Sequence, residues 1–431
     1  LSTLEPTAPV AAPPFTFASA TAPRWFGVLA IVLFALLMPV GYLGDEGEAP
    51  LVAIGGVAAL AFVLKKRPPS VGVLILTALT AWAVVSFAWS PLEPRQLHPR
   101  TYGQLQALTA PKLVAQLVLY SAFVSGALKL ARDQRETALK WLSWTLAGVS
   151  VMLALDALAQ GHIYGALSAA VGQHWPADLA RRNAARGTYA TALVFWPMAI
   201  ASWRRLPAAV PIAIGIVTAV AAVMLGVDAP AAAIALSTLV FAAARVNWRA
   251  ATWTCLAGMV VYFAAAPLIF MPHGGAPAAQ LLPGDVGKIS WHVRLDIWRF
   301  ASGLISRRPF QGYGLDASRA YQPDIPMHPH DAALQLWLEL GVLGPALMAL
   351  FFAWLFYKVL RLGGEDPPWA AAACACASVY LLIGAISFGV WQEWWLGLGA
   401  AAIATCGMVL QSRRDHALET AELGDDGLKP L

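Results

Sequence analysis

The chain has 431 residues, 59% of them hydrophobic and only 12% charged, where a soluble domain carries roughly a quarter charged residues. Its mean hydropathy of +0.62 and the grouping of apolar residues into long blocks exclude an ordinary soluble enzyme. The net charge of +5 sits in short connections between those blocks, which excludes a continuous nucleic-acid-binding face.

The first stretch, "LSTLEPTAPVAAPPFTFASATAP", is rich in Pro, Ala and Thr, so residues 1–24 are expected to be a disordered tail. It lacks the basic start of a signal peptide, and the first apolar block is therefore kept as a span. Apolar runs predict about twelve transmembrane helices: 25–43, 50–64, 70–89, 112–131, 141–159, 186–203, 207–225, 229–245, 251–270, 331–357, 367–388 and 393–411. Stretches of roughly 17 to 25 apolar residues suffice to cross a bilayer. The expected organisation is nine spans over 25–270, one large loop domain over 271–330, three spans over 331–411 and a tail over 412–431. The fold class is thus all-α and polytopic.

Lysine and arginine in the connections set the orientation. Loops after even-numbered spans, and the tail, carry Lys65, Lys66, Arg67, Arg132, Arg135, Lys140, Arg204, Arg205, Arg249, Lys358, Arg361, Arg413 and Arg414. Short loops on the other side read "GDEGE", "VDA" and "VWQE", without a cation. Both termini are therefore expected in the cytoplasm and the 271–330 loop outside. Three outer connections break the charge rule. They hold Arg95 and Arg100; Arg181, Arg182 and Arg186 in "RRNAARG"; and Lys288, Arg294, Arg299, Arg307, Arg308 and Arg319. Arginines on the disfavoured side suggest an anionic partner there, because the guanidinium fork matches phosphate oxygens.

Within the long loop, "SWHVRLDIWRFASGLI" reads as an amphipathic helix with Val293, Ile297, Phe300 and Leu304 on one face. Arg294 and Trp298 lie one turn apart on a neighbouring face. Arg294 is either a snorkelling cation or a phosphate ligand in a cavity. "RRPFQGYGLD" follows, where Gly312 and Gly314 suggest a tight turn, and Pro323, Pro326 and Pro329 keep "YQPDIPMHPH" extended. Asp331 can cap the next helix, which puts His330 beside the positive end of its dipole. Three readings of this spot stand open: a satisfied structural histidine; a metal site from Asp324, His328, His330 and Asp331; and a neutral His330 acting as general base. Glu339 falls inside the span, where a carboxylate needs a partner, either an arginine such as Arg186 or a neighbouring helix. Cys255, Cys374, Cys376 and Cys406 all lie in apolar segments without metal-ligand spacing, so inert thiols are expected.

"HDAALQLWLELGVLG" resembles the H-N-x-x-L-x-x-x-x-E-x-G signature of the O-antigen ligase and O-antigen polymerase superfamily. His330, Leu334, Glu339 and Gly341 occupy the matching places, and Asp331 stands where Asn is more usual. "RLDIWRFASGLISRRPFQGYGLD" resembles the family's R-x-x-x-W and P-x-x-G-x-G pattern through Arg294, Trp298, Pro309, Gly312 and Gly314. "NAARGTYATALVFWP" places Arg186 in the family's arginine position, and "WAVVSFAWSP" is similar to the end of its third span.

The resemblance implies a GT-C-like, metal-independent, inverting membrane glycosyltransferase without a cofactor. It would move a glycan from undecaprenyl diphosphate to lipid A-core oligosaccharide on the periplasmic face of the bacterial inner membrane. His330 would be the catalytic base. Arg186 and Arg294, helped by Arg181 and Arg182, would bind the donor diphosphate, with Glu339, Asp331, Trp298 and His328 in support. The alternatives are an O-antigen polymerase, a protein O-oligosaccharyltransferase and a transporter. A transporter would need polar groups near the bilayer midplane; few charges are found there, and the one candidate, Asp156, falls near a span end.

Overall fold

The computed structural model describes residues 21–44, 46–63, 69–91, 109–202, 207, 209–271 and 289–426. Sixteen α-helices and no strand occur among them. The expected tail over residues 1–20 and most of the stretch 272–288 lie outside the described residues.

Among the described residues, nine helices are long and apolar enough to cross a membrane. They are α1 (Arg24–Leu43), α3 (Val71–Ser86, with the turn that follows), α4 (Thr109–Ala127), α5 (Arg132–Leu158), α10 (Ala229–Val246), α11 (Trp248–Ile269), α14 (Leu343–Leu362), α15 (Pro367–Ile386) and α16 (Glu393–Asp426). At 1.5 Å per residue, twenty residues cover about 30 Å. The helices α2 (Glu48–Val63) and α9 (Ala209–Met224) are apolar but shorter. The chain is an all-α polytopic membrane protein.

The helix α8 (Arg186–Ser202) is the middle of the bundle. All its residues except Arg186 and Ala201 are buried, as a helix apolar all round must be. It packs on α1, α5, α9, α15 and α16. Local signals set the ends of several helices. Asn247 caps α11 by accepting from the Ala250 N–H, and Asp366 caps α15 by accepting from Trp369 N–H, with proline in its first turn.

The structure corrects three expectations. The span expected over 331–357 is two helices, α13 (Ala332–Leu340) and α14, broken at Gly341. Gly341 has φ 62°, and a Cβ there would meet the Phe310 carbonyl oxygen at 2.2 Å, so only glycine fits. Hydrophobicity runs through the break without interruption, which hides it in the sequence. The tail expected over 412–431 continues α16 as helix to Asp426. Ion pairs Arg135–Asp415 and Arg132–Glu419 tie this extension to α5, and Arg413–Asp366 and Arg414–Glu365 tie it to the start of α15. The loop after α5 contains two short helices, α6 (His162–Ala170) and α7 (Ala177–Ala184). Asp156 lies near a span end, as expected from its place in the sequence. It ends α5 and accepts from the Tyr42 hydroxyl at 2.8 Å and the Ile163 and Tyr164 N–H groups at 3.0 and 3.3 Å. It thereby satisfies the first donors of α6.

Candidate active site

The residues singled out by sequence gather at the end of the bundle that carries the 289–331 segment, called here the loop end. The amphipathic helix α12 (Ile289–Arg307) lies there. It buries Ile297, Trp298, Ala301, Leu304 and Ile305, while Val293 is 48% exposed. Its packed face is therefore rotated from the expected one, towards Trp298. The Trp298 indole N–H donates to the Pro329 carbonyl at 2.8 Å, fixing the chain one residue before His330. Arg294, one turn earlier, is half-buried and lies over the Trp291 ring at 5.1 Å. It faces Tyr189 and Asp228, whose charges oppose the lowering of its pKa by burial.

The histidines divide their roles by hydrogen bonding. His330 has φ 58°, a left-handed conformation that histidine adopts more readily than most residues. That turn aims Nδ1 at the Ser387 carbonyl, 2.9 Å away. A carbonyl only accepts, so Nδ1 carries the proton and Nε2 keeps a free lone pair in the neutral ring. Burial pushes the His330 pKa below its ordinary value; the bond to Ser387 works the other way, and Arg294 adds to the push of burial. His328 is arranged in reverse. Its Nδ1 accepts the His330 backbone N–H at 3.1 Å, so its proton sits on Nε2, 3.3 Å from Gln392 Nε2. Gln392 Oε1 is buried without a partner. Turning the Gln392 amide over would supply that acceptor to His328. Burial, then the charges of His330, Arg319 and Arg294, push His328 down to about 3. His328 is thus a neutral strut under His330.

Asp331 caps α13, its Oδ1 accepting from Leu334 N–H at 2.9 Å and from the Tyr262 hydroxyl at 2.8 Å. Burial raises its pKa to about 7. Asn and Asp cap equally well, which accounts for either residue at this place. These bonds turn Asp331 away from the histidines, and among the described residues no three His, Cys, Asp or Glu side chains converge as a metal site would require.

Glu339 is fully buried and does not pair with Arg186. Its Oε2 accepts from Trp391 Nε1 at 2.7 Å and Asp316 N–H at 3.1 Å; its Oε1 accepts from Ser318 Oγ at 2.7 Å and Gln335 Nε2 at 3.1 Å. It joins the loop, α13 and the 387–392 turn. Gln335 Oε1 in turn accepts from Val390 N–H at 2.9 Å. Gly312 and Gly314, with φ 67° and 95°, form the expected tight turn, but their neighbours are backbone. Tyr313 and Gly314 donate to the Leu338 and Glu339 carbonyls at 2.8 and 2.7 Å, satisfying the end of α13.

Arg186 begins α8, one turn before Tyr189, with a terminal nitrogen 3.5 Å from Glu46. Arg181 donates to Gln160 Oε1 at 3.3 Å and lies against Gly226, two residues before Asp228. Arg182 is exposed. Tyr189 and Ser387 were not foreseen. Ser387 acts through its backbone carbonyl, which leaves no side-chain signature. Tyr189 sits in the same arginine-led stretch as Arg186, and its place one turn on was a usable signal. A small apolar cavity of about 30 Å³ lies beside the site, lined in part by Tyr262, Ala332, Gly384, Phe388 and Trp395.

This fold and site define a polytopic helical membrane protein with a histidine and a half-buried arginine at one end. Residues 190–351 match the family described as O-Antigen ligase. That stretch contains Arg294, Trp298, His328, His330, Asp331 and Glu339, while Arg181, Arg182 and Arg186 precede it. A protein of Rickettsia conorii named "Putative polysaccharide ligase" is 34% identical over 122 residues, 25% of this chain and 29% of the relative. One of Rickettsia prowazekii with the same description is 36% identical over 119 residues, 24% of this chain and 28% of the relative. The chain thus spans less than a third of the length of the curated relatives it matches.

Proposed function

We propose that the protein is a GT-C-like, inverting glycosyltransferase that moves a glycan from undecaprenyl diphosphate to lipid A-core oligosaccharide. One observation carries the reading: His330 gives its Nδ1 proton to Ser387 and leaves Nε2 open, within the field of Arg294. An acceptor hydroxyl hands its proton to that nitrogen as its oxygen attacks the anomeric carbon from the face opposite the diphosphate. The carbon–oxygen bond to the diphosphate breaks, and the electron pair leaves with undecaprenyl diphosphate. Arg294 and Arg186 neutralise the departing charge, the task a divalent metal performs elsewhere. Arg181, already engaged with Gln160, and exposed Arg182 contribute less. Cation bias in the connections supports a bacterial inner-membrane protein with this end in the periplasm.

The test offers purified protein an undecaprenyl-diphosphate glycan with either lipid A-core or a second lipid-linked glycan, with and without EDTA. Transfer to lipid A-core that survives EDTA is expected. Transfer only to the second lipid-linked glycan would make the protein a polymerase, and loss with EDTA restored by one divalent ion would restore the metal reading. Arg294→Ala is expected to lower kcat/KM for the donor by about 10–100-fold, the cost of a charge-assisted hydrogen bond. Arg294→Lys should recover only part, because the ammonium lacks the planar fork. Unchanged donor kinetics in both Arg294→Ala and Arg186→Ala would remove these arginines from the site.

A further inference from the structure

The end of α12 carries a surface that the proposed chemistry leaves unused. Arg307 and Arg308 are both exposed, and Phe310 is 78% exposed. Among the described residues neither arginine has a carboxylate partner; Arg308 lies over the Tyr313 ring at 4.9 Å. Cations at a helix C-terminus complement its dipole, but that effect asks nothing of an outward phenylalanine.

The depth of this surface is fixed by the backbone. Val342 N–H donates to the Pro309 carbonyl at 2.8 Å, and Gly341 packs on the Phe310 carbonyl. Phe310 is therefore held at the loop end of α14, whose first residue, Leu343, is 44% exposed. The neighbouring span α3 is tied to the same place. Its Trp82 indole donates to the Leu340 carbonyl at 2.9 Å, and Ser86 Oγ accepts from Leu315 N–H at 3.0 Å. An aromatic ring at the end of two spans, with two arginines beside it, has the layout of a membrane–water boundary.

The reaction site is one short helix away. The nine residues of α13 separate His330 from Gly341 by about 13 Å at 1.5 Å per residue. A short oligosaccharide covers that span. We propose that Arg307, Arg308 and Phe310 dock the lipid end of a phosphorylated glycolipid acceptor. The phosphate rests on the two guanidinium groups, an acyl chain lies against Phe310 and Leu343, and the outer sugars reach towards His330. This rests on the acceptor being a glycolipid, as in the proposed function.

The test separates docking from transfer. Binding of lipid A-core, intact or stripped of its lipid A phosphates, is measured on the detergent-purified full chain by native mass spectrometry. Wild type is expected to hold the phosphorylated form about tenfold more tightly. The paired substitution Arg307→Glu and Arg308→Glu should erase that preference, Arg307→Lys with Arg308→Lys should keep most of it, and Phe310→Ser should weaken both forms alike. These side chains are exposed, and unchanged thermal unfolding of the variants verifies that the fold persists. Equal wild-type binding of both forms, or a preference that survives charge reversal, overturns the docking face. Tight, phosphate-dependent binding without any sugar transfer leaves the docking face standing and sinks the transferase reading instead.

Discussion

Replacing His330 by alanine is expected to slow transfer by about 10²–10⁴-fold, the range for loss of a general base, with donor binding near wild type. The argument is geometric before it is electrostatic. The Ser387 carbonyl takes the Nδ1 proton at 2.9 Å, so the free lone pair is on Nε2. Trp298 holds Pro329, and the His330 N–H holds His328 Nδ1, so the imidazole is fixed from both sides. The pH profile should fall on its acid side, since the base is lost as pH drops through a pKa held below the ordinary 6.5. That limb should be missing from the residual activity of His330→Ala. His328 titrates at about 3 in the fold and near 6.5 in the unfolded chain. The unfolded state thus binds more protons between those values, and stability declines as pH falls through that window. The acid limb must therefore be read under conditions where thermal unfolding confirms an intact fold. His328→Ala should cost less in rate than His330→Ala, because its Nε2 faces Gln392. Normal turnover in a folded His330→Ala variant would end the base assignment. Loss of donor binding alone would make His330 a phosphate ligand.

How much of this was legible in the sequence varies with the kind of force involved. Hydrophobic runs located α1, α4, α10, α11 and α15 closely, because burial in lipid needs long apolar stretches and little else, while α5 starts at Arg132, well before the expected 141. The break at Gly341 was invisible, because it depends on the backbone of Phe310 meeting Gly341 from thirty residues away in sequence. Helix α16 ran past its apolar stretch because Arg135 and Arg413 meet carboxylates whose positions only the fold reveals. Spacing and the family resemblance singled out Arg294, Trp298 and His330, and the fold brings them to the loop end. Ser387 could not be singled out, since a carbonyl carries no residue identity. The face of α12 was misjudged because helical periodicity gives a set of faces, and Trp298 was placed on a neighbouring face when its indole has a partner in Pro329.

Glu339→Ala is expected to destabilise the loop end more than any other single change at the site. A buried donor that loses its acceptor costs about 1–3 kcal/mol, and four donors meet Glu339: Asp316 N–H, Ser318 Oγ, Gln335 Nε2 and Trp391 Nε1. Donors that share one acceptor do not add independently, so the total is smaller than four separate losses, yet about 3 kcal/mol or more. The expected readout is a lower Tm and a smaller monodisperse fraction in detergent. Glu339→Gln is nearly isosteric but replaces one accepting oxygen by an NH₂ group. Whichever pair of donors faces that nitrogen, Asp316 with Trp391 or Ser318 with Gln335, is left donor against donor, so Gln should be intermediate. Since Glu339 is fully buried and all four of its partners are protein groups, its effect on transfer is expected to pass through the placement of the loop and of Trp391. Total activity should then recover on cooling in step with the folded fraction, with activity per folded molecule near wild type. A Glu339→Ala protein with wild-type Tm and no transfer would contradict this, and would place the carboxylate among the groups that act on substrate.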